Sequence, residues 1–205
     1  MYMQILRFFR RCLVWLCRFR HRCGYGIHSP FAFHIVRDVV YEKDSFYAYA
    51  TLAAEPADNS GLRQKDLRLL LRLANDHRPR TGILLGEDTR CALRYLQAGR
   101  SSCRFLCTEA CSLLSEKSEE LPEHLDLCYA DRCEEWEQVA GQLLSRCHGN
   151  TLVIVRGIHR GKAARRTWKA LQALTQVRVT FDLYDFGLAY FEERLNKQDY
   201  VINYF

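Results

Sequence analysis

Gly86, Glu109, Asp131 and the turn Arg156-Gly-Ile-His159 each follow an apolar stretch short enough to be a buried strand. The stretch Thr81-Gly-Ile-Leu-Leu-Gly-Glu-Asp-Thr-Arg-Cys-Ala-Leu-Arg-Tyr-Leu96 reads as a strand, a tight turn at Gly86 and a helix. Such a turn lets backbone approach a ligand, and the unpaired N–H groups of the helix that follows attract anionic or hydroxyl-rich groups. Glu109 ends the next strand, 23 residues past Gly86, where an acid reaches the ribose hydroxyls of an adenosine-bearing cofactor. The same glutamate also reads as a solvated loop residue. Arg156, His159, Arg160, Lys162, Arg165 and Arg166 form a local positive cluster, either a solvated helix face or a contact for an anionic substrate or nucleic acid.

Other chemistries are poorly supported. Cys103, Cys107, Cys111, Cys128 and Cys133 lack the spacing of a zinc knuckle, so no metal is expected. No motif singles out one of the ten cysteines as a nucleophile. No Walker-type lysine follows Gly86, which argues against a phosphate-transfer loop. His28 reads as a turn residue that bonds backbone, or as a functional side chain.

The elements that must position these residues are β-α units. Strands are expected at 82–85, 103–109, 125–130 and 151–155, and helices at 62–75, 89–98, 134–147 and 162–174. Thr151-Leu-Val-Ile-Val155 is apolar throughout, as a central parallel strand buried on both faces would be. Three further strand-like runs, 177–183, 187–191 and 200–205, have no helix between them and are expected to pair antiparallel. The fold class is therefore α/β: an open, mostly parallel sheet with helices on both faces and antiparallel C-terminal strands. Upstream, Ser29 and Pro30 are expected to cap a helix through Val40, and 41–60 reads as a loop or lid. The organisation expected is a basic N-terminal helix at 1–23, a helical cap or lid region at 24–80, and the α/β domain at 81–205.

Charge separates the first of these segments from the rest. The net charge of +6 resides in the arginines at 7, 10, 11, 18, 20 and 22; the remainder carries 24 Lys+Arg against 24 Asp+Glu. A neutral body is not a broad nucleic-acid surface. The first 22 residues alternate aromatic and aliphatic side chains with those arginines, and the apolar residues go most of the way round rather than forming one clean stripe. Such a helix packs on its own domain or a twin subunit, or lies in the interface of an anionic membrane. No run of about 20 apolar residues is present. No secretory signal is recognisable, so reduced thiols and a cytoplasmic location, with peripheral membrane association through 1–23, are expected.

Three stretches resemble a bacterial family of class I S-adenosylmethionine-dependent methyltransferase-like proteins. They are Gly26-Ile-His-Ser-Pro-Phe-Ala-Phe33, Ile158-His159 with Lys162 and Trp168 downstream, and the closing runs Val179–Phe191 and Lys197–Phe205. The resemblance covers residues 24–205 and implies a Rossmann-like methyltransferase sheet, S-adenosylmethionine as cofactor, and methyl transfer to an acceptor the sequence does not identify. It implies Gly86, Asp88, Glu109 and Asp131 as cofactor-binding residues and His159 or Asp131 as general base. The departures fall on the chemistry. Leu85 stands where the family's cofactor loop has an acid, Asp88 and Arg90 where it has small or glycine residues, and Arg156-Gly157 where it has paired aspartates. The implied alternative is a catalytically inactive binding or scaffold protein of the same fold.

Overall fold

A computed structural model describes residues 2–54, 61–114 and 121–205. Its longest strand is built on the apolar run 151–155, whose side chains alternate between two cores. Leu152 and Ile154 join one cluster, and Val153 and Val155 the other. A strand with both faces buried needs helices on both sides, and that layering organises the chain.

Among the described residues seven strands form one sheet. These are β1 (Thr81–Leu85), β2 (Arg104–Thr108), β3 (Leu125–Ala130), β4 (Cys147–Arg156), β5 (Val179–Asp182), β6 (Phe186–Tyr190) and β7 (Gln198–Val201). Their order is β2-β1-β3-β4-β6-β5-β7. Strands β2, β1, β3 and β4 run parallel, and β6 is antiparallel to both β4 and β5. The open, mostly parallel α/β sheet is thus present. One pairing differs from expectation: β7 lies parallel to β5. The excursion through β6 and residues 191–197 is itself the crossover that returns the chain to the same direction.

The helices are α1 (Tyr2–Cys17), α2 (Pro30–His34), α3 (Ala48–Ala53), α4 (Gln64–His77), α5 (Arg90–Gly99), α6 (Ala110–Leu114), α7 (Cys133–Leu144) and α8 (Lys162–Ala173). Ser29 caps α2 by accepting from the Ala32 N–H at 3.3 Å, with Pro30 in the first turn, and the chain continues as a π-helical turn over Ile35–Val40. His28 beside it is exposed. Helix α3 occupies part of the stretch expected as a loop; residues 55–60 of that stretch lie outside the described residues.

One face of the sheet is covered by the segment from α2 to α5, and the other by α6, α7 and α8. Val36, Leu70, Leu73 and Tyr95 share a core with Leu84, Tyr129 and Phe181. On the far face Trp136, Val139 and Trp168 meet Ile83, Cys128 and Val155. Gly187 admits Trp168: a Cβ there would lie 2.5 Å from the indole. No helix among the described residues is long and apolar enough to cross a membrane.

Candidate functional site

Chain order reverses at β1. The chain runs from β1 to β2 on one side and reaches β3 and β4 on the other, so the loops leaving these strands diverge and open a crevice over their C-terminal ends. Gly86 lies at its centre. Its N–H donates to Thr108 O of β2 at 3.1 Å, while Asp131 N donates to Leu85 O at 3.0 Å, so three strand ends are tied together. Gly86 has φ +146, and a Cβ there would come within 2.9 Å of Asp131 Cβ and 3.1 Å of Thr89 Cγ2. Both the backbone conformation and the close approach therefore require glycine.

A cleft of about 510 Å³ opens beside this turn, bounded by Gly86, Glu87, Thr89, Arg90, Glu109 and Ser112 among others. That volume is within the roughly 300–1,000 Å³ of small-molecule sites. Glu109 stands at the end of β2 on its wall. Arg90, on the lip, pairs with Asp88 at 3.1 Å, and the Arg90 side chain is 81% exposed. It turns outward along the rim instead of filling the turn.

Asp131 sits beside Gly86 but is not an open carboxylate. Its Oδ1 accepts from Arg156 Nη1 at 2.7 Å and from Tyr129 Oη at 2.9 Å, and Arg156 is buried. Burial, then the Asp131 carboxylate, pushes the Tyr129 phenol well above its usual range, so it remains a donor. Arg156 thus leaves the basic cluster read from the sequence and becomes the partner of a strand-end acid.

The family resembled in sequence has paired aspartates where this chain has Arg156-Gly157, and such a pair is a donor set for a divalent cation. The donor set here does not fit one. Where a second acid would be needed stands a guanidinium already bound to Asp131.

His159 belongs to a different neighbourhood. Its Nε2 donates to Asp182 Oδ2 at 2.7 Å, and its ring stacks on Tyr184 with centroids 5.2 Å apart. Arg18 of the segment after α1 donates to the same carboxylate at 2.9 and 3.1 Å. With the proton of Nε2 directed at Asp182, the 3.2 Å approach of Arg18 Nη2 to that nitrogen is proximity through a shared carboxylate rather than a hydrogen bond. Burial alone would raise Asp182, but the hydrogen bonds from His159 and Arg18 bring its carboxyl below the usual range. Gly86 and Glu109 thus line one crevice, Asp131 stands beside Gly86, Asp88 pairs with Arg90 of the lining, and His159 lies in the contact between the N-terminal segment and the sheet.

Sequence reasoning passed over Glu135, in the first turn of α7. One of its oxygens would lie 3.8 Å from a Cβ on Gly86, and the other is buried with no hydrogen-bond partner. Burial, followed by the nearby carboxylates Asp131, Glu87 and Glu109, raises its pKa. Acids in the first turn of a helix are common and carry no functional signal by themselves.

No protein-family model and no curated protein matches this sequence. Solved structures do match it. The O-methyltransferase TomG of Streptomyces achromogenes, involved in tomaymycin synthesis and solved with S-adenosylmethionine, is 15% identical with a TM-score of 0.53, covering 72% of this chain and 91% of its own. A Podospora anserina methyltransferase bound to S-adenosylhomocysteine is 10% identical with a TM-score of 0.55, covering 82% and 98%. An O-methyltransferase of Bacillus cereus, also with S-adenosylhomocysteine, is 16% identical with a TM-score of 0.54, covering 78% and 97%. The chain shares its fold with these methyltransferases. In this methyltransferase fold, α6 and residues 121–124 are the described parts of the stretch between β2 and β3, and β2 forms the sheet edge.

Proposed function

We propose that the chain binds S-adenosylmethionine over Gly86 and transfers its methyl group to an acceptor without a metal ion. The observation that carries this reading is the cleft at the reversal of chain order, with Glu109 at the end of β2 and glycine backbone at its floor. When bound, S-adenosylmethionine supplies a methyl group on a sulfonium. The acceptor's lone pair forms the new bond, the sulfur keeps the electrons of the broken one, and the acceptor's proton leaves to a base. Glu109 takes the ribose hydroxyls, and the 86–89 turn takes the amino-acid end of the donor, with Asp88 facing its ammonium. Glu87 and Glu135, near Gly86, give this end of the cleft negative charge suited to a cationic donor. Catalysis is mainly positioning, and Asp131, close to Gly86, is the base; His159 serves an acceptor only if that acceptor reaches the Asp182 cluster.

A second reading is favoured by one observation: Asp131 and His159 are both engaged in hydrogen bonds, with Arg156 and Asp182. In that reading the protein keeps the fold as a catalytically inactive binding or scaffold module. Calorimetry and thermal shift separate the two. Stabilisation by S-adenosylmethionine that Glu109→Ala removes is the expected result for the enzyme. No heat and no stabilisation at millimolar ligand would leave only the inactive module.

A further inference from the structure

Helix α1 is amphipathic in the reverse sense for a helix on a soluble domain. Arg11 and the following Arg18 are seven residues apart and share one face. Arg11 donates to Asp185 at 2.9 and 3.2 Å, and Arg18 to Asp182 at 2.9 and 3.1 Å and to the Asp182 carbonyl at 3.1 Å. Their guanidinium groups also lie over the rings of Phe205 and Tyr184, at 5.1 and 5.3 Å. Asn203 Nδ2 completes the seat by donating to Trp15 O at 3.2 Å. The charged face therefore holds the protein. Phe9, Leu13 and Leu16, spaced four and three apart on the opposite face, are 62%, 63% and 61% exposed, and Phe19 just beyond is 52% exposed.

Four large apolar side chains presented together by a folded chain mark a surface that something covers. Charge selects the occupant. The first 22 residues contain six arginines and no acid, and Arg20, His21 and Arg22 are exposed beside the apolar row. A second copy would set this cationic segment against itself. An anionic surface with an apolar interior matches both features, with guanidinium groups at lipid phosphates and aromatic and aliphatic side chains in the acyl boundary.

We infer that α1 docks the protein flat on an anionic membrane surface through Phe9, Leu13, Leu16 and Phe19. Helix α1 is seated on the turn after β5. Because Arg156 of β4 pairs with Phe186 of β6, that turn lies at the same end of the sheet as the crevice. Docking would hold the crevice end of the sheet toward the bilayer. This inference does not depend on donor binding.

The test uses the full chain and sedimentation with vesicles of phosphatidylcholine alone or mixed with an equal part of phosphatidylglycerol. Binding is expected to the anionic vesicles and to weaken with salt. Leu13→Glu with Leu16→Glu should lower partition at least tenfold with an unchanged thermal melting curve, since both side chains are already in solvent. Arg20→Ala and Arg22→Ala should each lower it about fivefold. No binding to anionic vesicles, equal binding to neutral ones, or unchanged binding of the double glutamate variant would overturn the inference. So would a concentration-dependent dimer, abolished by the double variant, in a protein that ignores vesicles; it would assign the face to a second copy.

Discussion

Two groups of acids occupy the same C-terminal edge of the sheet and have opposite fates. Asp182 and Asp185, at the turn after β5, are closed by hydrogen-bond donors from distant parts of the chain. Arg18 and His159 bind the first, and Arg11 and Arg63 the second. Glu87 and Glu109 border an open cleft beside Gly86, Glu135 lies close to the same glycine, and Asp131 stands between the two groups with Arg156 as its partner. The first arrangement gains contacts that hold a terminal helix. The second faces a space of ligand size. Strand-end acids alone do not mark a site; the way each is neutralised separates a hinge pin from a binding wall.

The sharpest way to break this contrast is to remove the central acid of the closed group. Asp182→Ala leaves Arg18 in a place where only 12% of its side chain is exposed, without its carboxylate. Stranding one partner of such a pair costs about 3 kcal/mol or more. The variant should unfold earlier in denaturant, and trypsin should cut it among the arginines of the loosened α1. The acid limb of the stability curve should also change. Burial would raise Asp182 and Asp185, but their hydrogen bonds and cations hold both carboxyls below the usual range. Their contribution is therefore complete above the ordinary carboxylate range and disappears as pH falls through the lowered values. The variant should show a shallower acid limb. A protein that melts and resists trypsin like the wild type would show that the docking cluster holds nothing.

For the open group the corresponding test is Gly86→Ala. The new Cβ meets Asp131 at 2.9 Å in a backbone conformation of φ +146, a strain of about 1–3 kcal/mol. Stabilisation by S-adenosylmethionine should vanish as the turn shifts. Gly141→Ala is the control. Its helix position is open to solvent with nothing within 4 Å of a Cβ, so the substitution should stabilise by up to about 1 kcal/mol and leave ligand binding intact. Loss of ligand response in both variants would detach the effect from the crevice.

The difference between the two groups was only half legible in the sequence. Gly86, Glu109 and Asp131 could be placed together because each ends a short apolar strand, and the order of strands in an α/β sheet follows from local pattern and crossover rules. What neutralises an acid does not follow from pattern. Arg18 is 164 residues from Asp182, and Arg156 is 25 from Asp131. A run uninterrupted by glycine or proline identified α1 as a helix, but it does not say which side docks. The inward face was decided by Asp182 and Asp185, whose position depends on the β5–β6 turn. Nor did the three closing strands specify that β7 would lie beside β5 in the parallel sense, because that depends on which edge the returning chain meets.

Lys65 sharpens the picture of the closed group by showing that it holds more cations than it can satisfy. Its Nζ is buried, makes no hydrogen bond and lies 4.2 Å from the centre of the Tyr204 ring. Burial, and then Arg63, lower its pKa to about 8. A base depressed in the native state costs stability wherever the unfolded chain holds the proton more tightly. That cost is present in full below about pH 8 and disappears as pH rises toward the ordinary lysine value. Lys65→Met should raise stability at neutral pH by about 1 kcal/mol, allowing for residual solvent, and remove the upward slope between these limits. Chemical denaturation across that alkaline range measures it, and an unchanged slope would return the lysine to solvent.

The smallest expected effect probes the open group most directly. Glu135 is raised first by burial and then by its neighbouring carboxylates, so the native state holds a proton that the unfolded chain has released. Stability should fall slightly as pH rises through the elevated value, by a few tenths of a kcal/mol for a partly solvated group, and Glu135→Gln should remove that fall. Ligand affinity should move the other way. Ionised Glu135 adds negative charge beside Gly86, so affinity for the sulfonium of S-adenosylmethionine rises with pH across the same interval. S-adenosylhomocysteine, whose sulfur is uncharged, should show a shallower rise, and the glutamine variant a flat response to both. Titration of both ligands by calorimetry at several pH values separates these terms. Equal slopes for the two ligands would mean that the acid wall of the cleft does not sense the transferred methyl group's sulfur, and that the donor lies in another orientation.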